Sequence, residues 1–193
     1  LPISSVSLTI IDKITSAGAL QMSPANTSIA LTTYADKGLY WRTAPPDTFQ
    51  GAVLGQLVSG DGYKTAAVLA LQDAYGEGLA KTFTEAFESA GNTIAFSKIY
   101  DPKAADYAAE VTAVKAAKPE ALVIIGFDET KKILQELIKQ GIGPDKLPLY
   151  LCDGNMGNAL AEGLPAGTLN GAKGTIPGSK ASDEFQAALK EIG

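Results

Sequence analysis

The stretch TAAVLALQDAYGEGLA, residues 65–80, decides the fold. Its first seven residues form a nearly unbroken apolar run, the kind of strand that a parallel sheet buries on both faces. A tight turn and a helix over about residues 76–89 follow it. The same unit then repeats: a strand near 93–100, a helix over 104–117 and an apolar strand at 121–125. A helix over 129–140, stopped by Gly141, leads to a strand at 147–152. Strand and helix alternating at this spacing require right-handed crossovers and a parallel sheet with helices on both faces. The class is α/β.

Working outward, Pro45-Pro46 breaks the chain just before this unit. Asp47 with Gln50 three residues later has the form of a capping box, and predicts a helix over about 48–59. Upstream, residues 4–17 carry Val6, Ile10 and Ile14 at fourfold spacing, with Ile11 beside them, a helical stripe opened by two candidate N-cap serines, Ser4 and Ser5. Short strands are expected at 19–22 and 39–43. Downstream, Phe185 and Leu189 stand at helical spacing within 182–192. From Asp47 to about Gly174 the alternation suffices for one lobe, whereas the flanks supply only parts of a second. The expected division is a partial N-terminal lobe at 1–45, an α/β lobe at 46–174, and a return crossing with its helix at 175–193.

Composition excludes several functions. With 193 residues, 46% hydrophobic and 19% charged, the chain has the make-up of a globular protein able to bury a sizeable core. A net charge of -5 opposes nucleic-acid binding, which needs a basic face. The chain contains no histidine, which removes Ser-His-Asp and Cys-His catalysis and histidine-ligated metal sites. No cofactor or metal is expected. Cys152 is the single cysteine, so no internal disulfide forms, and its apolar setting reads as a small buried thiol. No secretory leader is visible, and the start at Leu1 has the character of a trimmed or partial chain.

In an open parallel sheet, ligands bind at the carboxyl ends of the strands, so the loops just after each strand are where chemistry should sit. After residues 65–71 come Asp73, Tyr75 and Gly76-Glu77-Gly78. Those glycines are half of a dinucleotide fingerprint, although Lys81 stands where a third small residue belongs and Glu77 opposes a phosphate. After 121–125 come Phe127, Asp128 and Glu129. The two acids are candidates for proton transfer, and equally for favourable charges at a helix entrance. After 147–152 comes Asp153, either a turn residue before Gly154 or a carboxylate that holds a ligand cation. Tyr75 and Phe127 are core residues or pocket walls. Ser4 and Ser5 head a helix whose amide end could hold a carboxylate.

Four collinear blocks resemble one family. SPANTSIALT at 23–32, YWRTAPPDTFQG at 40–51, YGEGLA at 75–80 and CDGNMGNA at 152–159 together are similar to the type I periplasmic binding proteins, in particular the branched-chain amino-acid receptors of ABC importers. The resemblance implies two three-layer α/β lobes joined by a hinge that close on a small ligand, with one lobe nearly complete here and the other partial. Hinge crossings are implied near 43–46 and 175–178. It also implies ligand contacts: the carboxylate-binding serine at Ser4, with Ser5 the near alternative, backbone and hydroxyl groups at Ala25 and Thr27, an aromatic wall at Tyr75 and approximately Phe127, and an ammonium partner at Asp153. It implies a non-enzymatic receptor for a branched-chain or similar small amino acid, or for a related small amide, carboxylate or aromatic acid. A nucleotide-dependent α/β enzyme is the reading from another class. A membrane permease is the implied partner, in a periplasmic or extracellular setting and with a lipid anchor as one form. A partial lobe leaves apolar faces that should pack on the second lobe or on another copy.

Overall fold

The computed structural model describes residues 3–178 and 183–192. Five parallel strands form the main sheet, in the order β4-β3-β5-β6-β7: β3 at Thr65–Leu71, β4 at Thr93–Tyr100, β5 at Ala121–Ile125, β6 at Leu149–Leu151 and β7 at Lys173–Gly174. Every residue of β5 and β6, and all of β3 after Thr65, is buried, which accounts for their unbroken apolar sequence. Strand β4 is an edge, and its burial is only partial and alternating, with Lys98 on the exposed rim.

Two helices, α2 at Asp47–Gly60 and α3 at Ala74–Ser89, pack against each other, as do α4 at Ala108–Ala117 and α5 at Thr130–Lys139. The chain leaves β3 toward β4 and then returns across β3 to reach β5. With right-handed crossovers this places α3 on one face and α4 and α5 on the other, giving three layers. The reversal of direction between β3 and β5 is the topological switch point of the sheet, where the loops after those strands splay apart.

A second, two-stranded parallel sheet pairs β1, Gln21–Ser23, with β2, Tyr40–Arg42. Helix α1, Ser4–Ser16, packs on it through a small cluster of Ile11, Leu31 and Tyr40, separate from the large core of the main sheet. The last helix, α6, spans Asp183–Ile192, with Leu189 exposed.

Three local expectations are corrected. The apolar stripe of α1 does not face this chain's own sheet: Ser4, Ser7, Ile11 and Thr15 are buried, whereas Val6 and Ile10 are exposed. The helix turns its polar side inward because Ser4 is needed as an acceptor by the loop after β1. Neither Ser4 nor Ser5 is the N-cap, a position held by Ile3 without a side-chain bond. The Asp47/Gln50 capping box also does not form. Pro46 is the N-cap of α2, and both polar side chains point into the protein, where tertiary contacts outweigh the local bond.

Candidate ligand cleft

The bend after β1 is built by hydroxyls that accept from the backbone. Ser23 Oγ accepts from the N–H groups of Ala25 (3.2 Å) and Asn26 (3.1 Å), closing the turn that Pro24 begins. Ser4 Oγ accepts from Thr27 N–H (3.3 Å) and Ser28 N–H (3.2 Å), so α1 and this loop hold each other. With both lone pairs engaged, the Ser4 hydroxyl retains only its proton to offer, which suits an anionic acceptor. No side chain among the described residues caps the N-terminal amides of α1 beside it. Ser28 in turn donates to the Ala74 carbonyl (3.0 Å), tying the loop to the head of α3.

Across from this donor end, two loops flank the switch point. Tyr75 opens α3 after β3, and Phe127 follows β5; their rings lie 5.4 Å apart with a 32° tilt. Asp73 is the N-cap of α3 and accepts from Tyr75 N–H (2.9 Å) and Gly76 N–H (2.7 Å). Gly76 has a packing reason, because a Cβ there would lie 2.2 Å from the Leu71 carbonyl oxygen. The Phe127 loop is locked by Glu129, whose Oε1 accepts from Phe127 N–H (3.0 Å) and from the Tyr100 hydroxyl (2.8 Å). Burial, and then Glu129, push the Tyr100 phenol well above its usual range. Glu129 is thereby a loop staple.

The third loop follows β6 and carries Asp153. Its Oδ1 accepts from the Tyr75 hydroxyl (2.8 Å) and from Gln50 Nε2 (2.9 Å), leaving Oδ2 as an acceptor at the cleft wall. Gln50 also donates to the Thr175 carbonyl (3.3 Å) and hydroxyl (3.0 Å) beyond β7. Gly154 allows this loop to approach the β5 loop, since a Cβ there would sit 2.5 Å from the Gly126 carbonyl oxygen. Cys152 is fully buried beneath, and burial pushes its thiol up to about 12, which leaves it protonated and inert.

Ser4, Ala25, Thr27, Tyr75, Phe127 and Asp153 thus line one cleft of about 310 Å³, together with Ile3 and Gly154. Ser5 is not part of the wall; its hydroxyl donates to Asp73 Oδ2 at 3.4 Å. The cleft offers hydroxyl and amide donors on one side, a carboxylate on the other and an aromatic surface between. Asp47 and Gln50, just behind the wall, were hidden in the sequence because the same three-residue spacing also fits a cap. Asp73 is the ordinary N-cap signal of an Asp directly before a helix.

Asp47 is fully buried. Burial raises its carboxyl to about 7; the Thr27 hydroxyl opposes this without completing a hydrogen bond, Asp153 and Asp73 add to it, and Arg42 opposes it. A carboxyl whose folded value exceeds its unfolded value contributes stability that is complete below about pH 4 and is lost as pH rises to about 7. The difference in unfolding free energy between wild type and Asp47→Asn should therefore shift in favour of the variant by roughly 1 kcal/mol per pH unit over that window and level off above it. Paired urea titrations at several pH values check this, and a flat difference would place the Asp47 carboxyl at an ordinary value.

The sequence model of the periplasmic binding protein family matches residues 1–192. The chain belongs to that family. A Pseudomonas aeruginosa relative, named a leucine-, isoleucine-, valine-, threonine- and alanine-binding protein, is 27% identical over 174 residues, covering 89% of this chain and 45% of that protein. An uncharacterised Methanocaldococcus jannaschii protein is 27% identical over 125 residues, covering 60% of this chain and 30% of that one. Among solved structures, a Rhodopseudomonas palustris BisB5 solute-binding protein of an ABC transporter, in complex with 3,4-dihydroxybenzoic acid, matches with a TM-score of 0.75 at 18% identity. The match covers 85% of this chain and 45% of that one. An extracellular ligand-binding receptor from Rhodopseudomonas palustris HaA2 matches with a TM-score of 0.72 at 23% identity, covering 79% and 42%. These structures establish the type I periplasmic-binding-protein fold. The chain spans less than half the length of each of these relatives.

Proposed function

We propose that this chain forms the ligand cleft of an extracytoplasmic solute-binding receptor of an ABC importer, and that the solute is a branched-chain or similar small amino acid. The observation that carries the reading is the polarity of the cleft. Ser4 and the amide end of α1 stand on the side that suits a carboxylate, Asp153 on the side that suits an ammonium, and Tyr75 with Phe127 supply an apolar wall. Charges enclosed in a cleft must be paired, and hydroxyls, amides and one carboxylate pair both ends of a zwitterion without any catalytic base. In this reading Ala25 and Thr27 contact the charged ends, and the receptor performs no chemistry.

The lobes divide at 1–45, 46–174 and 175–193, with hinge crossings near 43–46 and 175–178 whose closure signals occupancy to a membrane permease. The setting is periplasmic or extracellular, with a lipid anchor as one form. The separate sheets and cores support this division. The exposed Val6, Ile10, Met22 and Trp41 support packing of the smaller lobe on further apolar surface, its own or a second copy's.

An aromatic acid is the second reading, favoured by the paired rings and by the dihydroxybenzoic acid bound in one structural neighbour. A nucleotide is disfavoured because the Asp73 carboxylate already occupies the amide nest at the head of α3. Calorimetric titration with a panel of aliphatic amino acids, 3,4-dihydroxybenzoate, NAD and ATP separates the three. Heat from an aliphatic amino acid alone is expected. Binding of the aromatic acid alone moves the chain to the second reading, and binding of a nucleotide alone removes the receptor reading.

A further inference from the structure

Among the described residues, Asp47 is the only carboxylate whose two oxygens are buried and without a hydrogen-bond partner. Its backbone is fixed on both sides: its N–H donates to the Thr27 carbonyl (2.8 Å), and its carbonyl accepts from the Thr82 hydroxyl (2.9 Å). The backbone is thus anchored with the side chain fully buried, and an isolated ionised carboxylate in such a place is costly. The elements packed around it bring little relief. Strand β2 brings Arg42, whose guanidinium is engaged by the Ser28 carbonyl and the Thr32 hydroxyl. The loop before α3 brings Asp73, the loop after β6 brings Asp153, and the loop after β1 brings only the Thr27 hydroxyl. Helix α3 presents Gly78, without charge. Three carboxylates thus face one guanidinium that is already in use.

One helical turn beyond Asp47, Gln50 joins the same helix to Asp153 Oδ1 and to Thr175. Asp47 and the cleft carboxylate consequently share a rigid frame, and each charge bears on the other. A proton on Asp47 reduces the mutual repulsion when the cleft is empty. A solute ammonium against Asp153 offsets that repulsion from the other side, so the proton is held less tightly. We propose that a cationic solute group arriving at Asp153 expels a proton from Asp47, which makes solute uptake by this cleft proton-linked. This rests on the amino-acid reading above and adds a pH response to it: binding releases a proton, and affinity rises with pH through neutrality.

Two measurements on the chain test it. Carboxyl-detected NMR of the unliganded protein should show Asp47 titrating near neutrality. Titration below about pH 5 would overturn the proposal, whatever binds. Calorimetry at pH 7 in two buffers of different ionisation enthalpy should show a fraction of a proton, up to about half, released per L-leucine bound, none on binding of 4-methylpentanoate, and none for L-leucine with Asp47→Asn. Affinity for L-leucine should rise several-fold between pH 6 and pH 8. Equal release from the wild type and Asp47→Asn, or none from either, overturns the proton link while leaving the receptor reading in place. A chain that binds neither compound defeats the amino-acid reading, and the proposal with it.

Discussion

Asp153→Ala should weaken binding of a free aliphatic amino acid by about 2 to 5 kcal/mol and binding of its deaminated acid analogue far less. The asymmetry follows from where the carboxylate's bonds go. Tyr75 and Gln50 both donate to Oδ1, so the carboxylate is held in place by neutral donors and keeps its charge for the cleft. Removing it leaves a solute ammonium enclosed and unmatched, which accounts for most of the loss. The fold should tolerate the change, because each donor keeps another contact: the Tyr75 hydroxyl lies 3.1 Å from Cys152 Sγ, and Gln50 still reaches the Thr175 carbonyl and hydroxyl. Titrating L-leucine and 4-methylpentanoate against both proteins decides the matter. Equal losses for the two compounds would remove Asp153 from the ammonium role.

Which elements were legible follows from how each is stabilised. Strands β3 and β5 are buried on both faces, so their sequences must be apolar throughout, and their limits were readable to the residue. Strand β7 is only Lys173 and Gly174, joined to β6 by backbone pairing, and no side-chain pattern announces it. Helix α4 starts at Ala108, four residues later than its composition suggests. The preceding loop instead wraps around Tyr107, whose ring packs edge-on against Tyr100 and whose hydroxyl donates to the Asp101 carbonyl. In the cleft, Tyr75, Phe127 and Asp153 were visible because each lies within four residues of the carboxyl end of a strand, where open parallel sheets bind ligands. Gln50 and Asp47 were not, because an acid and an amide three residues apart at a helix entrance look alike whether they cap the helix or face inward. The deciding partners, Asp153 and Thr175, lie more than a hundred positions away in sequence.

The largest loss of stability from a single cleft-region change is expected from Asn155→Leu, about 3 to 6 kcal/mol. Asn155 is buried behind the Asp153 loop: its Oδ1 accepts from Cys152 N–H (2.9 Å) and lies 3.7 Å from the Cys152 thiol, while Nδ2 donates to the Ile124 carbonyl (2.9 Å) and the Thr130 hydroxyl (3.0 Å). Those partners belong to the end of β6, to β5 and to the first turn of α5, so one side chain joins three elements where the cleft floor is built. Leucine has the same branched outline but leaves the buried Cys152 N–H unpaired and the Ile124 carbonyl with only the weak Cys152 thiol donor, at about 1 to 3 kcal/mol each, and its greater bulk overpacks the site, at about 1 to 3 kcal/mol more. Its added apolar contact offsets only part of this. Against a typical total of about 5 to 15 kcal/mol, the variant should unfold at much lower urea concentration. The backbone also turns here, with Asn155 N–H and Met156 N–H both donating to the Cys152 carbonyl. A measured loss under about 1 kcal/mol would show that this turn alone fixes the loop, and that Asp153 owes its position to the backbone rather than to the amide beneath it.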